Sequence, residues 1–443
     1  MYDVVIIGAG VSGIFMAYTL TKEHPEYSIL LIDKGKKLSE RTCKTDSINS
    51  CTCDECDQFI GFGGLGKSEG KFNYTNDFGG SLGRKIGNER AETLMYEVDD
   101  VICSFGGSVA ELYDTHSPEL KKRAEKHGLS VLTTSVRHLG TVLSTSIFQN
   151  LYLYLSERID IWFETEVVSI TPRDPFILET NQGTVSTEKV VISTGNSGSE
   201  WMRQQSLKLG LAHGTSRVDL GIRVEMRGCQ LDQILKEAFE TKLHINGDGF
   251  EGTTYCMNPN GRIIRKYQHG LVMADGQNKR EKEAPGSNLN FTLFVPSFFE
   301  TKKEAGGLAK KVIGGINQNK GRILVQRLQD LKLKRATDEA MMEQNTILPS
   351  LEADAGNLIE EIPEKFLKAL NEFLDALQAL LGEPIDDDTL LYGMDGKFYE
   401  PKIKTSKQFE TEVSGLYLIG DCSGETHSLS QAAASGIYVA RLL

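Results

Sequence analysis

The sequence predicts an α/β fold of the Rossmann-like type, interrupted by an inserted α+β domain. Three observations carry this. An unbroken apolar run, Val4-Val5-Ile6-Ile7, leads directly into the glycine turn GAGVSG. SILLID follows after one helix-length stretch. The strand-then-helix texture returns only at the C-terminus, in SGLYLIGD and the segment after it.

Each element has a local reason. A strand buried on both faces of a parallel sheet reads as a continuous apolar run, which fits residues 4–7. A helical stretch to about His24 and the strand SILLID complete a βαβ unit of about 30 residues. Residues 34–80, rich in Gly, Cys and Ser, read as irregular, and 88–128 as mostly helical. TVLSTSIFQNLYLYLSER (141–158) reads as a helix, IDIWFETEVVSIT as two short strands, and VSTEKVVISTG (185–195) as a strand ending in Thr-Gly.

From about 215 to 402 short β-like pieces (LGIRVEM, GRIIRKY, NFTLFV) mix with helix-prone sequence. In 363–381, Phe366, Leu370, Phe373, Leu377 and Leu381 recur at helical spacing, the pattern of a core-facing stripe. From Ser428 a last helix places Leu429, Ala432, Ala433, Ile437 and Ala440 on one face. The expected division is therefore a nucleotide-binding domain of 1–212 and 403–443 around an inserted substrate domain, 213–402.

Composition sets bounds. The chain has 443 residues, enough for two domains. Its net charge of −12 disfavours nucleic acid and anionic membrane surfaces, which need a basic face. No apolar run approaches the roughly 20 residues of a membrane-spanning helix. The start, MYDVVIIGAG, lacks the basic region of a signal peptide. Eight cysteines are not the density of a disulfide scaffold. A cytoplasmic protein is expected.

The glycines of Gly8-x-Gly10-x-x-Gly13 each have a task. The first permits the tight turn, the second lets backbone approach a pyrophosphate, and the third lets helix pack close to strand. Ala17 is small on the same helical face. The helix N-terminus then favours the pyrophosphate's negative charge. Asp33, at the end of the second strand, can accept hydrogen bonds from ribose hydroxyls and would repel a 2′-phosphate; Lys34 follows it. The motif alone does not choose between FAD and NAD.

VVISTGNSG and GLYLIGDCSGETHSLSQAAASG resemble the later landmarks of two-dinucleotide-binding flavoproteins. More closely, the chain resembles a bacterial family described as uncharacterised FAD-dependent dehydrogenases, a branch of the glutathione-reductase-like flavoproteins. The matching segments run nearly end to end: DVVIIGAGVSG, IDKGKKLSER, GFGGLGKSEGKFN, HLGT, VVISTG, LGIRVEM, TTYCMNPNGRII, NLNFTLFV, GRILVQRLQDL, LLYG and GLYLIGD…SQAAASG. The resemblance implies FAD as cofactor. It implies that Arg41 and Gly63-Gly64-x-Gly66-Lys67-Ser68 wrap it, and that Val167 meets the adenine through its backbone. Thr194 and Gly195 would pass near the cofactor, and Gly420 and Asp421 would meet its ribityl or pyrophosphate region. The helix bearing Ser430 and Gln431 would aim its N-terminus at the flavin's pyrimidine edge, favouring negative charge there. Glycines allow the close backbone approach, and Arg41 and Lys67 can neutralise pyrophosphate.

The chain departs from that family at two places. Many members read Gly-Glu-Gly-Ala-Gly-Tyr where this chain has Gly420-Asp421-Cys422-Ser423-Gly424-Glu425. They carry a Glu-x-Arg element where it has Met394-Asp395-Gly396-Lys397. The cofactor inference stands without these positions; a substrate does not transfer.

Cys43, Cys51, Cys53 and Cys56 leave three readings open. As metal ligands their spacing, C-x7-C-x-C-x2-C, matches no common zinc or ferredoxin pattern, and no metal ligand is assigned. As a redox group they occupy the stretch where glutathione-reductase-like enzymes place a cysteine pair, without its Cys-x4-Cys spacing. Otherwise they are inert thiols in a loop. His427, just before the last helix, is the candidate catalytic proton donor. Cys256 and Asn258 either line a substrate or shape the turn at Pro259-Asn260-Gly261.

The expected function is an FAD-dependent oxidoreductase, or dehydrogenase. It would pass hydride between flavin N5 and a small organic substrate docked between the two domains, with an unidentified electron donor or acceptor. The alternatives are a thiol or electron-transfer flavoprotein using the 43–56 cysteines, and a non-enzymatic flavin redox sensor.

Overall fold

The computed structural model describes residues 1–42, 57, 59–67, 70–239, 241–277, 288–399 and 401–443, without the Cys256 side chain. Cys43, Cys51, Cys53, Cys56 and Ser68 lie outside the described residues. The chain forms two compact units: Met1–Asp114 with Thr134–Gly214 and Glu400–Leu443, and Thr115–Thr133 with Thr215–Tyr399.

The first unit is α/β with Rossmann-like topology. Five parallel strands run in the order Asp160–Trp162, Ile29–Ile32, Tyr2–Ile7, Gly183–Ile192, Leu416–Leu418. Val167–Thr171 and Phe176–Thr180 form an antiparallel meander with the first half of Gly183–Ile192. Side chains alternate across a strand, and this splits the apolar run between two cores. Val4, Ile6 and Leu31 pack with helices Val11–Glu23, Asn88–Ser104, Gly140–Ser156 and Leu429–Ala440. Val5, Ile7, Leu30 and Ile32 pack with Val167, Phe176, Leu178 and Val185 of the meander. That is why the run is unbroken: both faces are covered.

Expectation and structure differ over 88–128. The helix ends at Ser104, the strand Leu112–Asp114 follows, and a separate helix spans Pro118–Lys126. Residues 115–133, placed by the sequence reading in the first domain, group with the second unit. The cause is nonlocal. Leu129–Leu132 pairs antiparallel with Lys242–Gly247, and Leu120 and Ala124 enter that unit's core.

The second unit is built on an eight-stranded sheet whose long central strands are Leu390–Phe398, Ser216–Arg227, Asn288–Phe299 and Phe250–Pro259. Val218, Leu220, Ile222, Val224 and Met226 join Leu289, Phe291, Leu293 and Val295 in one apolar core. Helix Glu364–Leu381 lays Phe366, Leu370, Phe373, Leu377 and Leu381 into it, the stripe read from spacing, and Gly382 ends the helix in a left-handed conformation at φ 72°. Most of the intervening positions are polar, yet Asp219, Arg223, Glu225, Asn290 and Thr292 are all buried. Among the described residues no helix is long and apolar enough to cross a membrane.

Candidate functional site

The glycine turn follows the first strand directly, and each of its glycines has a distinct geometric reason. Gly8 has φ +109°, and a Cβ there would stand 2.6 Å from the Ser193 carbonyl oxygen. Gly13 sits against the turn: its Cβ would lie 2.1 Å from Gly8 O. Gly10 is different. Its φ of −75° and ψ of −176° suit any residue, and among the described residues a Cβ would meet nothing nearer than Ser193 O at 3.9 Å. The described residues do not require glycine at position 10. No side chain caps the helix that begins at Val11, and its first turn carries no acid, so its N-terminal amides favour an anion.

Asp33 braces this turn. Its Oδ2 accepts from Ala9 N at 2.7 Å and its Oδ1 from Gly35 N at 2.7 Å. Burial raises its pKa, and the two amides with Arg41 and Lys34 only partly offset this. Each carboxylate oxygen has a second lone pair, so a ribose hydroxyl remains compatible with the brace.

A second glycine loop, 61–66, closes over the first. Gly63 N donates to Ala9 O at 2.9 Å, and a Cβ on Gly64 would come 3.2 Å from Gly10 Cα. On Gly66 it would strike Phe148 Cζ at 2.5 Å and Val11 Cγ2 at 2.6 Å. Arg41 organises this loop. Its guanidinium donates to the carbonyls of Asp57, Phe62 and Gly64 at 2.9, 2.5 and 3.0 Å, and Lys67 Nζ donates to Arg41 O at 2.8 Å. The sequence reading gave both cations to pyrophosphate. The structure shows Arg41 gripping the loop carbonyls of Phe62 and Gly64, and Lys67 holding the Arg41 carbonyl in turn.

The third segment is the strand end at Ser193-Thr194-Gly195 with the turn 420–428. Ser193, missed by the sequence reading, donates its hydroxyl to Gly8 O at 2.8 Å. Gly195 has φ +57°, and among the described residues nothing lies within 4 Å of where a Cβ would be. Asp421 Oδ1 accepts from Thr426 Oγ1 at 2.8 Å, and Asn196 Nδ2 reaches Oδ2 at 3.4 Å. Burial pushes the Asp421 carboxyl up to about 7 against the Thr426 bond. Gly420, at φ +68°, packs on Ser12 and donates its N–H to Ser435 Oγ at 3.0 Å. Val167 is buried in the meander, its carbonyl accepting from Trp201 Nε1 at 2.5 Å.

The last helix is capped by Ser428, whose Oγ accepts from Gln431 N at 3.3 Å. Gln431 is fully buried, and its side chain ties down the loop 75–82. Nε2 donates to Thr75 O and Phe78 O, both at 3.1 Å, and Oε1 accepts from Leu82 N at 3.3 Å. Position 80 tolerates only glycine here, since a Cβ would lie 2.5 Å from Gln431 Oε1. His427 N donates to Gly79 O at 2.8 Å, so this loop also fixes the histidine's backbone. Ser430 Oγ is fully buried with no hydrogen-bond partner among the described residues.

Sequence reasoning also missed Glu425. It accepts from Ser81 Oγ at 2.5 Å and Lys402 Nζ at 2.7 Å, with Lys85 Nζ at 3.3 Å. Burial raises its pKa, but these partners outweigh burial and hold the carboxyl below its usual range. Nothing local in GETHS announces it, because its partners lie far away in sequence.

Residues 6–58 match the family model of NAD(P)-binding Rossmann-like domains. No curated protein matches the chain. Among solved structures, it is similar to glycine oxidase from Geobacillus kaustophilus, at 13% identity and TM-score 0.36, covering 100% of this chain and 92% of that one. It is similar to L-proline dehydrogenase from P. horikoshii, at 13% and 0.39, covering 99% and 92%. It is also similar to the FrdA subunit of E. coli quinol fumarate reductase, at 13% and 0.40, covering 100% and 69%.

Proposed function

We propose that the chain is an FAD-dependent oxidoreductase acting on a small organic substrate, with an electron donor or acceptor still to be identified. The single observation that carries this is Gly10. Its backbone angles suit any residue and the described residues around it leave room for a side chain, so apart from a modest helix-cap preference the described fold gives no reason for glycine. A pyrophosphate seated on the helix N-terminus supplies one. The orphaned, fully buried Ser430 hydroxyl and the open Gly195 fit a bound group in the same unit.

When bound, FAD would supply hydride transfer at its N5. Gly8, Gly10 and Gly13 would hold the pyrophosphate with main-chain amides, and Asp33 would accept from the ribose while keeping its brace on Ala9. Lys34, the loop 63–67, Val167, Thr194, Gly195, Gly420 and Asp421 would line the remainder. The N-terminus of Leu429–Ala440 would stabilise negative charge, with Ser430 Oγ donating. His427, its backbone anchored on Gly79, would hold or release a proton at its imidazole.

The test is direct. Purified protein should absorb near ~450 nm and release FAD, identified by mass, on denaturation. Anaerobic screening of metabolites should find one that bleaches the flavin catalytically. Protein that takes up no FAD would remove the reading.

A further inference from the structure

The second unit carries a polar network of its own. Arg223, fully buried, donates from Nη1 to Thr292 Oγ1 at 2.7 Å and from Nη2 to Asn290 Oδ1 at 2.6 Å. Asn290 Oδ1 also accepts from Asn258 Nδ2 at 3.3 Å. Two donors on one oxygen fix the orientation of the Asn290 amide. The Thr292 hydroxyl donates onward to Asp395 Oδ2 at 3.1 Å, and Asp395 Oδ1 accepts from Lys266 Nζ at 2.7 Å. Lys266 also lies 3.3 Å from Asp275 Oδ2. Glycine at 276 makes room: a Cβ there would stand 1.1 Å from Arg223 Nη2. The network thus gathers residues from LGIRVEM, CMNPNG, NLNFTLFV and MDGK, segments far apart in the chain.

Two features exceed what a framework needs. The first is charge. Among the described residues, the only carboxylate oxygen within 4.0 Å of the Arg223 guanidinium is Asp395 Oδ2, at 4.0 Å, and that carboxylate is engaged by Lys266. Arg223 is therefore a buried cation bonded to two neutral acceptors, an expensive arrangement. The second is satisfaction. Arg223 Nε and Asn290 Nδ2, both fully buried, have no hydrogen-bond partner among the described residues. An unmet buried donor costs about 1–3 kcal/mol, and more when charged. Both orphans are donors on directly bonded residues. A carboxylate carries two accepting oxygens and matches a guanidinium in geometry and charge. The network reaches solvent at Lys266 and Asp275, each about a quarter exposed.

We propose that this cluster binds the carboxylate of a small organic acid, with Arg223 Nε–H and Asn290 Nδ2–H as its donors. The proposal rests on the oxidoreductase reading only for calling that acid a substrate.

The test is calorimetric titration of the purified full chain with acetate, benzoate and succinate, and with acetamide and benzamide as neutral counterparts. Asn290→Asp is the informative variant. It keeps the side-chain volume, gives Arg223 a buried counter-ion and replaces the free N–H by an anionic oxygen. The wild type should bind at least one carboxylate and not its amide. Asn290→Asp should weaken that binding by tenfold or more and raise the melting temperature of the ligand-free protein. Asn290→Asp binding as tightly as wild type overturns the proposal. So does failure of all three acids to bind, or a crystal structure with one water bridging Nε and Nδ2 and the acid elsewhere. FAD content read from the same samples separates the two claims: flavin-loaded protein that ignores the acids sinks only this one, and flavin-free protein that binds them sinks only the cofactor reading.

Discussion

Asp33 holds the amide of Ala9 at 2.7 Å, and through it the end of the second strand fixes the glycine turn that follows the first. A residue read from sequence as a cofactor ligand is thus also the clamp that shapes the cofactor loop. Asp33→Asn would turn one accepting oxygen into a donor facing a backbone N–H. Urea unfolding of the apoprotein should show a loss of about 1–3 kcal/mol, apart from any loss of cofactor. An unchanged midpoint would mean the brace carries no stability.

Gly13→Ala should be far less tolerated than most surface glycine substitutions. The added methyl would start 2.1 Å from Gly8 O and 2.7 Å from Ser193 Oγ, so the helix must move off the strand. Overpacking of this kind costs about 1–3 kcal/mol, occasionally more. Circular dichroism melts of the apoprotein give the figure.

Asp421 and Glu425, four residues apart, should respond to pH with opposite sign. The folded-state pKa of Asp421 is raised from 3.8 to about 7. Its contribution is therefore present below the unfolded value and lost as pH rises through about 7. In the apoprotein, Asp421→Asn should melt with wild type near pH 3.5 and progressively above it as pH rises to 8. Glu425 is depressed, so its stability is present above the unfolded pKa and lost on acidification. Glu425→Gln should be destabilised at pH 8, with the gap closing as pH falls. Parallel melting curves for either pair would contradict the assigned environments.

Cys422 should be inert in the native protein. It is buried, its Sγ contacts Ile419 O at 3.1 Å, and burial pushes its thiol up to about 11. Cys229 is exposed. Peptide mapping after brief maleimide treatment should find label on Cys229 and on Cys422 only after denaturation.

How much of this was legible in the sequence follows from distance along the chain. The turn at Gly8–Gly13 and the stripe on Glu364–Leu381 are local patterns, and both were read at their observed positions. The buried polar positions Arg223, Asn258 and Asn290 fell within quoted segments, yet nothing local said they meet. Gln431 was read as a cofactor residue, but its side chain reaches Thr75 and Phe78, more than 350 residues earlier. Residues 115–133 were assigned to the wrong neighbours for the same reason: Leu129–Leu132 is a short strand whose partner is Lys242–Gly247. Arg41 shows a different gap. Its charge suggested an anion, while its position in a glycine loop supplied carbonyl acceptors that sequence does not display.

The most direct test of the central claim is Gly10→Ala. The helix-cap preference lost and the unfolded-chain entropy removed are each of order 0.5–1 kcal/mol and opposite in sign. Apoprotein stability should therefore stay within about 1 kcal/mol of wild type, because among the described residues the methyl meets nothing nearer than Ser193 O at 3.9 Å. Bound FAD, measured by absorbance and by titration, should fall sharply or vanish. A Gly10→Ala protein that retains FAD with wild-type stoichiometry and affinity would contradict the placement of a pyrophosphate on this turn.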